Sequence, residues 1–285
     1  MRIVLASMGP HEFRLLHSVC EAAGHTVVAY THSRSMKPRQ PVPPHAREKV
    51  TATLTEIPQT VDLLLPADPA GLCRSLAGYR PDLVVVYGWN WIMPPRLLEL
   101  PTHGVINIHP SMLPHYRGPN PVVAAIRNGE SHIGLTIHRM DRGVDTGNIL
   151  VQRDGIALAE DVDLAALRRD ELLPTIAELL PEALAMVSSG EPGAPQPEGV
   201  FPRAVKFEPG FFVVDWSQPA TTIHNQVRTF RAIGNTDAPK AKVGGEWVRL
   251  VRTSLTPTEG TRMQCGDGEL WVVQGEPTGP PEVEG

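Results

Sequence analysis

Residues 81–109 read "PDLVVVYGWNWIMPPRLLELPTHGVINIH". Two apolar runs, "PDLVVVYGW" (81–89) and "GVINIH" (104–109), flank the helical segment "PPRLLEL". Strands apolar on both faces must be covered on both faces, and a helix between two of them returns the chain so that they lie parallel. The same alternation extends towards the N-terminus. "RIVLAS" (2–7), "TVVAYTHS" (26–33) and "VDLLLPA" (61–67) read as strands. "HEFRLLHSVCEAAGH", with Gly24 as its stop signal, and "PAGLCRSLAGY" carry apolar residues at helical spacing. The expected fold is α/β, with a Rossmann-like, mostly parallel sheet.

Downstream, "NPVVAAIRNGE" reads as a helix, and "IGLTIHRM" and "NILVQRDGIAL" as two further strands. Residues 161–190 form a long amphipathic stretch, expected to break or kink at Pro174 and Pro181. Residues 191–203 are proline-rich and aperiodic, a connector. Beyond them "FFVVDW", "EWVRLVRTSL", "TRMQC" and "ELWVVQG" are short strands, with "PATTIHNQVRTFRAI" as one helix. That pattern predicts a small, OB-like β-barrel. The domains expected are 1–190, a linker at 191–203, and 204–285, with the tail "EPTGPPEVEG" disordered.

The bulk properties exclude several classes. With 285 residues, the chain has room for one large or two smaller cores. A formal charge of −5 gives no general reason to expect nucleic acid. Cys20, Cys73 and Cys265 are odd in number and far apart, so neither a disulfide framework nor a zinc knuckle is indicated. The opening "MRIVLASMGPHEF" is too short an apolar run for a signal peptide, and no stretch approaches the ~18 apolar residues of a membrane helix. A cytoplasmic location is expected. The first turn, "ASMGPHEF", lacks the G-x-G-x-x-G that lets backbone amides reach a pyrophosphate, which argues against NAD or FAD. There is no P-loop and no G-x-S-x-G elbow, so Ser111 has no nucleophile context.

Within "GVINIH", Asn107 and His109 interrupt an otherwise apolar strand. Spaced by two, they share one side of it, at the carboxyl end where open α/β sheets collect ligands. "HRMDRGVDTGN" (138–148) then supplies aspartates and glycines between two predicted strands. A carboxylate beside an imidazole fixes its tautomer and favours its charged form. An amide beside a protonated imidazole can stabilise an oxyanion. Such a set suits acyl transfer to an acceptor that brings its own nucleophile. Singly, such residues are more often structural: a lone histidine at a strand end is usually a satisfied one, and an Asp-Gly loop usually just a turn.

The run from Asn107 to Leu150 resembles the folate-dependent formyltransferases. The elements carrying the resemblance are N-x-H at 107–109, S-x-L-P at 111–114, Y-R-G at 116–118, G-x-T at 134–136 and D-x-G-x-D-T-G at 141–147. "VDWSQPATTIHNQVRTF" and "MQCGDGELWVV" are similar to the C-terminal domain of the methionyl-tRNA branch. The resemblance implies 10-formyltetrahydrofolate as cosubstrate and a catalytic trio of Asn107, His109 and Asp145. Asn107 and protonated His109 would hold the oxyanion, and Asp145 would maintain the imidazolium and help move the amine proton. It further implies a folate cleft at "VVVYGWNWIMP" (84–94) and the 139–145 loop, with Tyr87, Gly88, Trp89, Ile92, Met140, Asp141, Gly143 and Val144 as cofactor contacts. Ser111, Leu113, Tyr116, Arg117 and Gly118 fall at the substrate side. Trp89 and Trp91 depart from the smaller residues expected there, as core packing or as a change in cleft shape.

The acceptor is less legible. The tRNA enzymes carry basic charge, because phosphate neutralisation supplies most of the binding. Residues 31–49 hold Arg34, Lys37, Arg39, Arg47 and Lys49 against Glu48, which suits tRNA or a solvated loop. Residues 225–285 hold seven Lys or Arg against eight Asp or Glu, a net of −1. The balance points to a small-molecule amine, an amino acid or amino sugar, with initiator Met-tRNA or water as alternative acceptors. A metal hydrolase built on His103, His109, His115, His132 and His138 is disfavoured, since six-residue spacing on this segment does not converge on one ion; no metal site is expected. A descendant that keeps the fold without transfer is disfavoured by the complete trio.

Overall fold

The computed structural model describes residues 1–33, 38 and 47–281. In chain order the elements are β1 (Arg2–Ser7), α1 (Pro10–Ala22), β2 (Thr26–His32), α2 (Arg47–Glu56), β3 (Asp62–Leu64), α3 (Pro69–Tyr79), β4 (Leu83–Tyr87), α4 (Pro95–Leu98), β5 (Val105–His109), α5 (Pro121–Arg127), β6 (His132–Arg139), β7 (Ile149–Ala157), α6 (Leu164–Leu167), α7 (Leu173–Ser188), α8 (Ala220–Ala232), β8 (Lys240–Val243), β9 (Glu246–Ser254), β10 (Thr261–Gln264) and β11 (Glu269–Pro277). The chain folds as two compact units. The first holds Met1–Arg117, Gly134–Asp154 and Leu172–Phe201; the second holds Gly118–Ile133, Gly155–Glu171 and Pro202–Gly285.

A seven-stranded sheet runs in the order β3-β2-β1-β4-β5-β6-β7. The pairs from β3 to β5 are parallel, and β6 runs antiparallel to β5. The central strands explain why the sheet forms here. Ile3, Leu5, Leu83, Val85, Ile106 and Ile108 on one face, and Val4, Ala6, Val84, Val86 and Val105 on the other, are all at most 2% exposed, so both faces are dry and aliphatic side chains fill them. Helix α3 starts on Asp68, whose Oδ1 accepts from the Gly71 amide at 2.7 Å, with Pro69 in the first turn. Helix α7 turns Ile176, Leu180, Ala183, Leu184 and Val187 inwards at a period near 3.6 and packs on α1.

The second unit centres on a curled four-stranded antiparallel sheet, β10-β11-β9-β8, half of a small barrel as an OB-like domain would have. Ile223 and Val227 of α8 pack on Leu250, Leu270 and Val272 of that sheet.

Several expected elements come out differently. Pro174 sits in the first turn of α7, where a missing N–H costs nothing, and Pro181 lies within a helix that continues past it. The interruption falls earlier, as a π-turn at Arg168–Leu172. "FFVVDW" is a 3-10 turn at Pro209–Phe212 followed by a bridge from Val213 to Lys240. Its aromatic rings pack on one another: Phe207 stacks on Phe211 at 4.6 Å, and Phe211 meets Phe230 at 5.2 Å. Helix α2 and strand β8 have no counterpart in the sequence reading. The first residues of the expected disordered tail are ordered, since β11 runs to Pro277 and Thr278 N–H donates to the Trp247 carbonyl. Residues 282–285 lie outside the described residues, as do residues 34–37 and 39–46 of the basic loop.

Removing core volume from β5 should weaken the whole first unit. Ile108→Ala, at a site 1% exposed, is expected to lower the unfolding free energy in urea by about 2–5 kcal/mol. Asp68→Ala, which only removes the cap of α3, should cost about 1 kcal/mol. Equal losses from the two variants would contradict this account of the core.

Candidate active site

Strand β5 carries Asn107 and His109, and its ladders choose their neighbours. Parallel β4 sets Val86 beside Asn107, while antiparallel β6 sets His138 opposite Asn107 and Thr136 opposite His109. His138 is 1% exposed and His109 5%. Nδ1 of His138 donates to the Arg139 carbonyl at 2.8 Å, which leaves Nε2 as an acceptor for the Asn107 amide nitrogen at 3.2 Å. The same amide nitrogen lies 3.4 Å from Asp145 Oδ1. This orients the amide, because the reversed rotamer would point an oxygen at a carboxylate.

The imidazole of His109 is gripped from both ends. Nε2 donates to the Tyr116 carbonyl at 3.0 Å, and Nδ1 faces Asp145 Oδ2 at 3.7 Å. Burial is the largest influence on its basicity and holds the pKa below the ordinary histidine value. The Asp145 charge and the Tyr116 carbonyl oppose that shift, and His138 adds to it. At neutral pH His109 is therefore neutral in the free protein, with its proton on Nε2. The resemblance implies a protonated His109 during transfer; in the free protein burial favours the neutral ring. Tyr116 and Asp145, which hold the two ring nitrogens, both have left-handed backbone, with φ 59° and 54°. Such residues cost of order 1–3 kcal/mol each and persist only where surrounding contacts hold them.

For Asp145 those contacts come from within the 139–148 loop and from Gln196. Asp141 Oδ1 accepts from the Gly143 amide at 2.9 Å and the Thr146 hydroxyl at 2.6 Å. A Cβ on Gly147 would stand 1.9 Å from the Arg139 carbonyl, so only glycine allows that approach. Nε2 of Gln196 donates to the carbonyls of Asp145 (2.9 Å) and Gly147 (2.8 Å). Its Oε1 accepts from Arg117 Nε at 2.9 Å.

The other expected residues separate into two groups. In the proline loop, the Ser111 hydroxyl donates to the His115 carbonyl at 2.7 Å, and the Leu113 amide donates to Thr136 Oγ1 at 3.2 Å. Leu113 and Tyr116 are buried, Arg117 is directed at Gln196, and Gly118 has φ 110°. On the expected folate side, Tyr87 is buried at the end of β4, and Gly88, with φ 72°, lies against Met8. Trp89 and Met140 pack against one core cluster that includes Val86 and Met93. Trp91 is buried and meets Trp89 edge-on at 5.3 Å. Ile92 and Val144 remain 75% and 42% exposed, apolar side chains offered to solvent on the two loops.

Two residues of this network escape the sequence reading. His138 stands out there only for its spacing from His132. Its signal is the same as that of Asn107 and His109, polar residues two apart (Thr136 and His138) in an apolar strand. Gln196 carries no signal, lying in a stretch that reads as a connector. Among the described residues, no group of three or more His, Cys, Asp or Glu is placed to hold a metal ion, and no helix is long and apolar enough to cross a membrane.

Comparison with known proteins gives this geometry a family. The pattern described as "Formyl transferase" matches residues 1–171. The chain belongs to the formyltransferase family. It is an enzyme of that class, and the family takes its formyl group from formyl-tetrahydrofolate. This formyltransferase is 33% identical over 226 residues to a methionyl-tRNA formyltransferase of Trichlorobacter lovleyi, covering 74% of this chain and 69% of the relative. It is 29% identical to that of Syntrophomonas wolfei over 96% of this chain and 90% of the relative. Among solved structures, a sugar N-formyltransferase from Shewanella superposes with TM-score 0.63 at 20% identity, covering 91% of this chain and 99% of the other. HypX from Aquifex aeolicus, solved with tetrahydrofolic acid, gives TM-score 0.62 at 21% identity. That match covers 97% of this formyltransferase but only 44% of HypX. At these identities the structural likeness establishes the fold.

The titration of His109 tests the electrostatic account. Ring-nitrogen NMR should place its pKa below 6.5, and Asp145→Asn should lower it further by removing the opposing charge. The unfolded chain takes this proton at the ordinary value and the native state only at lower pH. Stability from the neutral ring is thus complete above the ordinary value and is lost as pH falls through the native one. In that window the wild type should lose more stability than His109→Gln. A His109 that titrates above the ordinary value would contradict the dominance of burial.

Proposed function

We propose that the protein is a 10-formyltetrahydrofolate-dependent N-formyltransferase acting on the primary amine of a small molecule, an amino acid or amino sugar. The observation that carries the chemistry is the convergence of the Asn107 amide, the His109 imidazole and the Asp145 carboxylate at the end of β5, with contacts of 3.4 and 3.7 Å to Asp145. In this reading catalysis lies within residues 1–190, ahead of the 191–203 connector and the 204–285 domain.

The bound folate supplies the formyl group. The exposed Ile92 and Val144 and the half-buried Trp89 and Met140 are apolar side chains on the two loops that would suit a flat pterin, with Tyr87, Gly88, Asp141 and Gly143 as the neighbouring contacts. The 3.4 Å contact from Asn107 to Asp145 is long, so that N–H can turn to a carbonyl oxygen as charge builds there. Neutral His109 would take, through Nδ1, the proton that the attacking amine must lose, and would return it to the folate nitrogen as that nitrogen's bond to the formyl carbon breaks. The imidazolium so formed faces Asp145 and donates from Nε2 to the Tyr116 carbonyl, so both its N–H groups meet oxygen. Ser111, Leu113, Tyr116, Arg117 and Gly118 frame the acceptor side through the shape of their loop.

The preference for a small amine rests on charge. Residues 225–285 sum to −1, whereas binding through phosphates needs a basic surface. The relatives named methionyl-tRNA formyltransferases support a second reading, with initiator Met-tRNA as acceptor. A panel of amino acids, amino sugars and initiator Met-tRNA, each offered with 10-formyltetrahydrofolate, should separate the two through release of tetrahydrofolate. A small amine should stimulate release, and His109→Ala should cut it by about 100-fold or more. Tight Met-tRNA binding that falls steeply with salt would replace the small-amine reading. Release that no amine stimulates would make water the acceptor.

A further inference from the structure

Gln196 lies in the segment that reads as a connector, yet its amide joins both halves of the site. Nε2 donates to the carbonyls of Asp145 and Gly147, at 2.9 and 2.8 Å, and Oε1 accepts from Arg117. Arg117 directly follows Tyr116, whose carbonyl holds Nε2 of His109. Asp145 presents its carboxylate to Nδ1 of the same ring. The neighbouring chain follows the loop as a strap: Ala194 and Ile149 exchange backbone hydrogen bonds at 2.8 Å, and Asn148 Nδ2 donates to the Pro192 carbonyl at 3.2 Å.

We propose that Gln196 is a positioning residue for formyl transfer, locking the Asp145 loop to the Tyr116–Arg117 turn so that the two groups gripping His109 move as one body. The inference rests on the reading of Asn107, His109 and Asp145 as the reacting set. A primary amide is the side chain that fits. Its NH2 satisfies two carbonyls of the left-handed loop while its oxygen takes the guanidinium. A carboxylate of the same shape would keep Arg117 and lose both carbonyls. Leucine, of similar volume, would lose all three contacts.

The test compares Gln196→Glu and Gln196→Leu with the wild type, each with and without Asp145→Asn, and follows His109 by ring-nitrogen NMR. In the wild type, Asp145→Asn should shift the His109 titration downwards. In both Gln196 variants that shift should shrink to less than about half, because the carboxylate is no longer aimed at the ring. An unchanged shift in both would overturn the proposal, and a merely structural glutamine would leave it unchanged. Turnover gives the second readout. With 10-formyltetrahydrofolate and the amine panel, Gln196→Glu should lose about 10-fold or more in kcat, with KM for the folate within about twofold and the melting temperature near that of the wild type. A kcat within about twofold of the wild type would also overturn it. If the wild type releases no tetrahydrofolate with any amine or with water, the functional reading fails, and the NMR comparison still decides the role of Gln196.

Discussion

The antiparallel ladder between β5 and β6 is the constraint on which the site depends. It sets His138 opposite Asn107 and Thr136 opposite His109 at strand spacing. A slip of one residue would exchange the faces of β6 and bury apolar side chains where these polar ones meet. The register is protected because Leu135 and Ile137, which alternate with them, are fully buried. Packing of ordinary aliphatic side chains thus holds the Asn107 amide in one orientation.

The site balances two opposing effects on one ring. Burial alone would make His109 a poor proton acceptor, and an exposed carboxylate could do little to offset that, since water screens it. Asp145 is itself largely buried, with 14% of its side chain exposed, so its charge acts across a medium of low polarity. The result is a ring that is neutral at rest and becomes a well-paired cation on gaining a proton. This combination explains why the β6–β7 loop keeps Asp145 in a left-handed conformation where a relaxed turn would connect the strands as well.

Much of this is legible in the sequence, for physical reasons that also mark the limits. The apolar runs at 83–87 and 105–109 declare a doubly covered sheet because nothing else tolerates valine and isoleucine on both faces. Asn107 and His109 stand out against that background, and Asp145 stands out through the glycines around it. His138 carries the same contrast in β6 but reads as one of several scattered histidines, since pairing register is a tertiary property. Gln196 is invisible, because a glutamine among prolines has no periodicity and its partners lie 51 and 79 residues away. "FFVVDW" misleads for the opposite reason. Its β-prone composition is real, but the phenylalanines find one another before a strand partner.

The strap at 192–196 bears on how such chains can be recombined. A Cβ on Gly193 would lie 2.5 Å from the Ile149 carbonyl, and Asn148 reaches the carbonyls of both Pro192 and Gly193. The segment is thus fixed in length and register against the loop it borders, unlike a spacer that tolerates insertion. A chimera joining this N-terminal part to another C-terminal domain would keep its site intact only with the seam placed after residue 196. A seam at 190, where the sequence first turns proline-rich, would cut through the wall of the site.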